Sequence, residues 1–168
     1  ALTEAHQSGL IHRDLKPANI YIAVLGGECD VVKVLDYGLV KVTTDPNAPQ
    51  LSAEYTVSGT PAYMSPEQAT ASTEIDFRAD LYALGGILYT FLTGRTPFSG
   101  SNAVQLMIAH AKELVVPPSQ IQPGVPADLE AVVLRCLAKN PDDRYADARE
   151  LAAALSACAC AADWDSEK

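Results

Sequence analysis

The strongest pattern in the sequence is a helical repeat of apolar residues between positions 77 and 92. The apolar side chains recur every three or four residues, with Ala and Gly at several positions between them. The repeating positions are Phe77, Leu81, Leu84, Ile87, Leu88, Phe91 and Leu92. A helix that is apolar nearly all round lies in the interior of a domain. We therefore predict a central buried helix that ends at Gly94, because glycine readily adopts the left-handed conformation of a helix cap.

Amphipathic patterns after this segment predict three more helices, at roughly 101–112, 127–138 and 147–156. Asp147, followed three residues later by Glu150, is typical of a capping box at the start of the last helix.

The chain before the central helix has a different pattern. Residues 1–8 are typical of a helix end, with Gly9 as its cap. Two apolar runs at 20–25 and 31–35, separated by Gly26-Gly27-Glu28, predict a β-hairpin. The predicted fold is therefore mainly α, with one small β-hairpin.

Composition narrows the classes of protein to consider. A chain of 168 residues is long enough for one compact domain. Its net charge of −9 argues against a nucleic-acid partner or an anionic membrane surface. The longest apolar run, 81–92, is shorter than the roughly 20 residues that a membrane-spanning helix needs. The four cysteines form no zinc-binding pattern, and no signal peptide is recognisable. We expect a cytoplasmic segment with free thiols and no membrane contact.

The candidate chemistry begins immediately before the first predicted strand, in His12-Arg13-Asp14-Leu15-Lys16-Pro17-Ala18-Asn19. This segment resembles the catalytic loop of protein kinases, H-R-D-L-x-x-x-N. The resemblance implies that Asp14 is the catalytic base and that Asn19 binds Mg²⁺ beside the ATP phosphates. It also implies that Lys16 reaches the transferring phosphoryl group, and a Lys there is typical of serine/threonine kinases. A lone Asp would more simply be a solvated or capping carboxylate, so this interpretation depends on the neighbouring motifs.

A second motif follows the predicted hairpin. Asp36-Tyr37-Gly38 resembles the D-F-G motif of kinases, whose Asp binds Mg²⁺. By itself this tripeptide is only a weak turn signal. Tyr37 departs from the usual Phe, although either ring can fill an apolar slot. Tyr21 falls where kinases place the apolar residue under the adenine ring, and a core aromatic is the alternative.

A third motif ends the segment 41–62, whose polar composition predicts a long loop. Gly59–Glu67 resembles the substrate-facing loop and A-P-E motif of kinases, with Ser65 in place of Ala. By this resemblance Thr60 hydrogen-bonds the catalytic Asp and Lys, and Glu67 pairs with Arg144. The alternative is that Glu67 and Arg144 are two ordinary surface residues.

Asp80 is a carboxylate inside the predicted buried helix, where an unpaired polar group would cost several kcal/mol. The kinase resemblance implies that it accepts backbone N–H groups near His12 and Arg13, so we assign all three residues a supporting role.

Arg13 directly precedes Asp14, as in kinases that are activated by phosphorylation of the following loop. By family spacing, Thr56 is the first candidate acceptor and Ser52 the second. A phosphate there would form charge-assisted bonds to Arg. Alternatively, Arg13 caps local carbonyls and Glu54 supplies a permanent negative charge.

The resemblance covers about residues 1–156, leaves 157–168 as a tail, and is closest in style to the eukaryotic-like kinases of bacteria. It implies a serine/threonine protein kinase that uses ATP and Mg²⁺ and acts on protein substrates. The Gly-rich loop, the strand Lys and its partner Glu are absent from the 168 residues. We therefore expect a fragment that lacks its N-terminal kinase lobe and is inactive alone. The alternative is a non-catalytic, pseudokinase-like interaction module.

Overall fold

The computed structural model describes residues 1–26, 28–37 and 61–163. These residues form seven helices and one hairpin: α1 Leu2–Gln7, β1 Ile20–Leu25, β2 Glu28–Val34, α2 Pro66–Ala69, α3 Arg78–Thr93, α4 Ala103–Lys112, α5 Pro118–Ile121, α6 Ala127–Cys136 and α7 Ala148–Ser156. Short 3-10 helices lie at Pro17–Asn19, Pro61–Tyr63, Pro141–Asp143 and Ala159–Asp163. The prediction of a mainly helical fold with one small hairpin is confirmed.

Helix α3 is the central element, and most of its residues are buried. It ends at Gly94, whose φ of 74° is left-handed, as predicted. Gly85 lies where α3 crosses α6, and a Cβ at this position would overlap the Cβ of Cys136. Glycine therefore permits the close approach of these two helices. Phe91 was wrongly included in the buried stripe, because it lies near the end of the helix and is 70% exposed.

The predicted helices after α3 are present, and each is slightly shorter than its pattern suggested. Asp147 caps α7 by accepting hydrogen bonds from the N–H groups of Arg149 and Glu150. The other half of the expected capping box differs, because the Glu150 carboxylate accepts from the N–H of Ala146 rather than that of Asp147. Helices α2 and α5 were not predicted. Each has four residues, which is too short for a periodic signal, and begins with a proline at its first position.

The two strands pair antiparallel, with Ile20 opposite Val34 and Tyr21 opposite Lys33. Strand β2 begins at Glu28 rather than at the predicted Val31, because the polar residues after the turn also join the ladder. Ile20 and Val34 pack against the core formed by Leu15, Ala83 and Ile87. This packing holds one end of the hairpin against α3.

The largest core cluster joins α3, α6 and α7. Its buried members are Leu81, Val132, Cys136, Tyr145, Leu151 and Cys158. Cys136, Cys158 and Cys160 are free thiols, and burial raises the pKa of Cys136 to about 12. None of the helices in the described ranges has the length and apolar character required to cross a membrane.

Candidate active site

The loop between α1 and β1 carries Asp14 at a half-exposed position. The Lys16 Nζ lies 2.7 Å from Asp14 Oδ2, so the two charges form an ion pair. The Asp14 N–H donates to His12 Nδ1 at 3.3 Å, and His12 Nε2 lies 2.9 Å from the carbonyl oxygen of Leu35. Because a carbonyl only accepts, His12 Nε2 donates to it, and the ring links the loop to the end of β2.

Asn19 brings the ends of the hairpin together. Its Nδ2 donates to the Asp14 carbonyl at 2.9 Å, and its own carbonyl accepts from the Leu35 N–H at 2.8 Å. Asp36, which follows Leu35 in the chain, is exposed and has a left-handed φ of 66°. Asn19 and Asp36 therefore lie at the same end of the hairpin, beside Asp14.

The donors at this end of the hairpin fit a magnesium ion. Asn19 uses its amide nitrogen to hold the loop, and its Oδ1 has no partner within the described residues. Mg²⁺ prefers oxygen ligands and is commonly held by one or two carboxylates together with substrate phosphates and water. The described ranges contain no cluster of three His, Cys, Asp or Glu side chains suited to a metal.

Tyr37 packs against the loop that carries Asp14. Its ring centroid lies 4.7 Å from that of His12, and the ring is half-buried. Burial raises the pKa of Tyr37, and the negative charge of Asp80 raises it further by a smaller amount. The Tyr37 hydroxyl therefore stays protonated. The substitution of Tyr for Phe thus keeps the ring against a side chain of the catalytic loop.

Asp80 anchors the loop from α3. Its side chain is 1% exposed, and its two oxygens accept from the N–H groups of His12 at 2.8 Å and Arg13 at 2.9 Å. These are the contacts that the resemblance implied. A third partner, His6 Nε2 at 2.9 Å from Asp80 Oδ2, was missed. A single His near the end of a short helix carries no sequence signal for a partner 74 residues away.

Arg13 has a left-handed backbone, with φ of 64°. Its carbonyl accepts a hydrogen bond from Gln68 Nε2 at 2.6 Å, a contact that the sequence interpretation also missed. The Nε of Arg13 is buried and has no partner among the described residues. The candidate phosphate acceptors Thr56 and Ser52 lie outside the described residues, as does Thr60.

Glu67 and Arg144 form a bidentate ion pair, with two N–O distances of 2.8 Å. Glu67 is 8% exposed and Arg144 is 2% exposed, so the alternative of two surface residues is wrong. The pair ties α2 to the segment that precedes α7.

His110 of α4 supports the neighbouring segment Pro61–Tyr63. Its Nε2 donates to the carbonyl of Ala62 at 3.1 Å, and its Nδ1 accepts from the hydroxyl of Tyr82 at 2.9 Å. Burial, and then the nearby charge of Lys139, lowers the pKa of His110 to about 4. This residue, too, was not identified from the sequence.

Tyr21 lies on β1 and is 55% exposed, so the alternative of a core aromatic is wrong. It belongs to a set of exposed apolar residues on both faces of the hairpin and just after it, which we call the hairpin set. The other members are Ile22, Val24, Leu25, Val32 and Leu35.

The site combines a carboxylate paired with a lysine, two oxygen side chains at the end of a hairpin, and a buried ion pair behind them. This arrangement is that of the catalytic lobe of a protein kinase. The protein kinase domain profile matches residues 1–155. The chain therefore belongs to the protein kinase family.

The chain is similar to several bacterial serine/threonine-protein kinases, which confirms the resemblance drawn from the motifs. It is 45% identical over 155 residues to PknB of Mycobacterium leprae, covering 92% of this chain and 24% of the relative. It is 49% identical over 146 residues to Pkn1 of Myxococcus xanthus, covering 87% and 21%. It is 47% identical over 161 residues to pkn3 of Myxococcus xanthus, covering 94% and 29%. The chain thus spans between a fifth and a third of the length of these relatives.

Proposed function

We propose that this chain supplies the catalytic and substrate-binding lobe of a serine/threonine protein kinase, which transfers the γ-phosphoryl group of ATP to hydroxyl groups of proteins. The observation that carries the proposal is the convergence of Asp14, Lys16, Asn19 and Asp36 at one end of the hairpin. The named activity of the bacterial relatives supports the same function.

In this mechanism Asp14 orients the hydroxyl of the acceptor Ser or Thr and accepts its proton as the oxygen–phosphorus bond forms. Lys16 already lies against Asp14, and its ammonium balances negative charge on the transferring group. Thr60 is proposed to join this pair from the substrate-facing loop. Peptide segments that contain Ser or Thr are therefore the expected substrates.

Asn19 and Asp36 are the proposed ligands of Mg²⁺, through the amide oxygen of Asn19 and the carboxylate of Asp36. Bound Mg²⁺ would neutralise phosphate charge during the transfer. The left-handed backbone of Asp36 and the bond from Asn19 to the Asp14 carbonyl hold the two ligands beside the base.

We propose that Tyr21 contacts the adenine ring and that other members of the hairpin set contact an N-terminal kinase lobe. Large exposed apolar patches usually mark interaction sites, and Ile22 and its cross-strand partner Val32 are 71% and 49% exposed. We further propose a cytoplasmic location, with Thr56 and Ser52 as regulatory phosphate acceptors. Arg13, whose buried Nε has no partner among the described residues, supports a phosphate contact.

The test replaces Asp14 by Asn in the kinase domain that contains this chain. We expect phosphoryl transfer to a protein acceptor to fall by about 10²–10⁴-fold, because general-base catalysis contributes factors of this size. The matched control is Asp30→Asn, on the opposite end of the hairpin, where Asn suits the left-handed φ of 61°. Transfer by Asp14→Asn at the rate of the control would remove Asp14 from the mechanism. A wild-type domain that binds a partner but transfers no phosphate would favour the non-catalytic alternative.

A further inference from the structure

Gln68 uses both ends of its side-chain amide. Its Oε1 accepts from the N–H of Ser65 at 3.1 Å, and its Nε2 donates to the carbonyl of Arg13 at 2.6 Å. An N–H group can only donate and a carbonyl can only accept, so these two partners determine the orientation of the amide. Gln68 is therefore both a helix cap for α2 and a bridge to the catalytic loop, 55 residues away.

The bridge contacts the loop at a strained position. Arg13 has a φ of 64°, which non-glycine residues rarely adopt and which persists only where neighbouring contacts hold it. The contacts come from two sides: the Asp80 carboxylate accepts from the Arg13 N–H, and the Gln68 amide donates to the Arg13 carbonyl. That carbonyl belongs to the peptide bond whose N–H is that of Asp14.

We infer that Gln68 is a positioning residue for Asp14, acting through the Arg13 carbonyl; this inference rests on the proposed kinase function. Asp80 of α3 holds the peptide before Arg13 and Gln68 of α2 holds the peptide after it, so Arg13 is clamped between the two helices. The plane of the second peptide, between Arg13 and Asp14, sets the direction of the Asp14 side chain. An error of about 1 Å in such a group can lower a rate by about a hundredfold.

The clamp also couples two parts of the site. Helix α2 directly follows the segment Pro61–Tyr63 and contains Glu67, which is bound to Arg144. A displacement of α2 therefore shifts the donor that holds Arg13. The position of the substrate-facing segment and the orientation of the Asp14 side chain therefore both depend on the side-chain amide of Gln68.

Simple helix capping is the competing explanation, and the chain offers a matched control for it. Gln105 holds the same position in α4, and its Oε1 accepts from the N–H of Ser101. Gln105 is exposed, and the described hydrogen bonds of its side chain go only to Ser101. Gln105→Glu and Gln68→Glu each retain a capping oxygen, but only the second removes a donor from the Arg13 carbonyl.

The first measurement is steady-state kinetics of the kinase domain that contains this chain. For Gln68→Glu and the uncharged Gln68→Met, we expect kcat to fall by about ten- to a hundredfold while the KM for ATP changes less than about twofold. Gln105→Glu should retain kcat within about twofold, because the described bonds of its side chain stay within the start of α4. Equal kcat values for Gln68→Met and Gln105→Glu would overturn the inference.

The second measurement does not need activity. Amide hydrogen exchange of the 168-residue chain should be about tenfold faster at Asp14 in Gln68→Met than in wild type, since the lost bond held the peptide group that contains the Asp14 N–H. Exchange in α3 serves as the check on folding. Faster exchange with unchanged kcat would reduce Gln68 to a structural role, and slower catalysis with unchanged exchange would exclude the clamp as its cause. An inactive wild-type domain would refute the proposed function, while the exchange result would still decide whether the clamp exists.

Discussion

Arg144→Ala gives the sharpest test of how this lobe is held together. The guanidinium of Arg144 is 2% exposed and directs all its described hydrogen bonds inward. Two go to the carboxylate of Glu67 at 2.8 Å each. The other three go to the carbonyl oxygens of Ala138, Arg78 and Lys139, at 2.9, 2.9 and 3.2 Å. Removing this one side chain takes the donor from every one of these contacts.

The expected loss of stability follows from what remains. Glu67 would keep a carboxylate that is 8% exposed and has lost both of its bonds to Arg144. Stranding one member of a buried ion pair costs about 3–5 kcal/mol. For a domain of this size, each kcal/mol lowers the Tm by about 2–4 °C, so we expect Arg144→Ala to lower the Tm by about 6–20 °C.

Thermal and urea unfolding followed by circular dichroism measure this loss. The control is Arg149→Ala, because Arg149 pairs with Asp147 at 2.8 Å but is 69% exposed. An exposed pair contributes less than about 1 kcal/mol, so the control should barely move the Tm. A double variant, Glu67→Leu with Arg144→Met, should be more stable than Arg144→Ala, because no charge is stranded. Equal Tm values for Arg144→Ala and Arg149→Ala would refute the reasoning.

Two further predictions concern stability. Gly85→Ala should cost about 1–3 kcal/mol, because the new methyl group would overlap Cys136 and force α3 and α6 apart. Gly124→Ala, where a Cβ meets no atom within 4 Å, is the control, and equal urea midpoints for the two variants would contradict the close packing. The pKa of His110 is lowered from its ordinary value of 6.5 to about 4. Between these two pH values, the unfolded chain therefore binds up to one more proton at His110 than the folded chain does. The contribution of His110 to the free energy of unfolding should be complete above pH 6.5. It should fall by up to about 3 kcal/mol as the pH drops towards 4. His110→Gln should reduce this dependence in urea unfolding measured from pH 7 to 4, and an unchanged profile would exclude His110 as its source.

The sequence by itself determined the elements and motifs that depend on local spacing. The apolar repeat of α3 and its cap at Gly94 were predictable, because helical periodicity and a left-handed glycine are properties of neighbouring residues. The motif around Asp14 and the motif at Asp36 also indicated the kinase family from their residue order alone. Their order around the hairpin indicated which residues would lie near one another, since the hairpin joins residues close in sequence.

Tertiary structure decided the contacts that hold these motifs in place. Gln68 meets the Arg13 carbonyl and His6 meets Asp80 across 55 and 74 residues. Nothing in the spacing of a lone Gln or His specifies such a partner, because its identity depends on how separate helices pack. Gly85 likewise has no distinguishing signal in the sequence. Only the crossing of α3 and α6 in the structure shows why a larger residue would not fit there. Local sequence patterns could predict the helices and the kinase motifs, whereas the contacts that hold those motifs in place depend on long-range packing that no local pattern encodes.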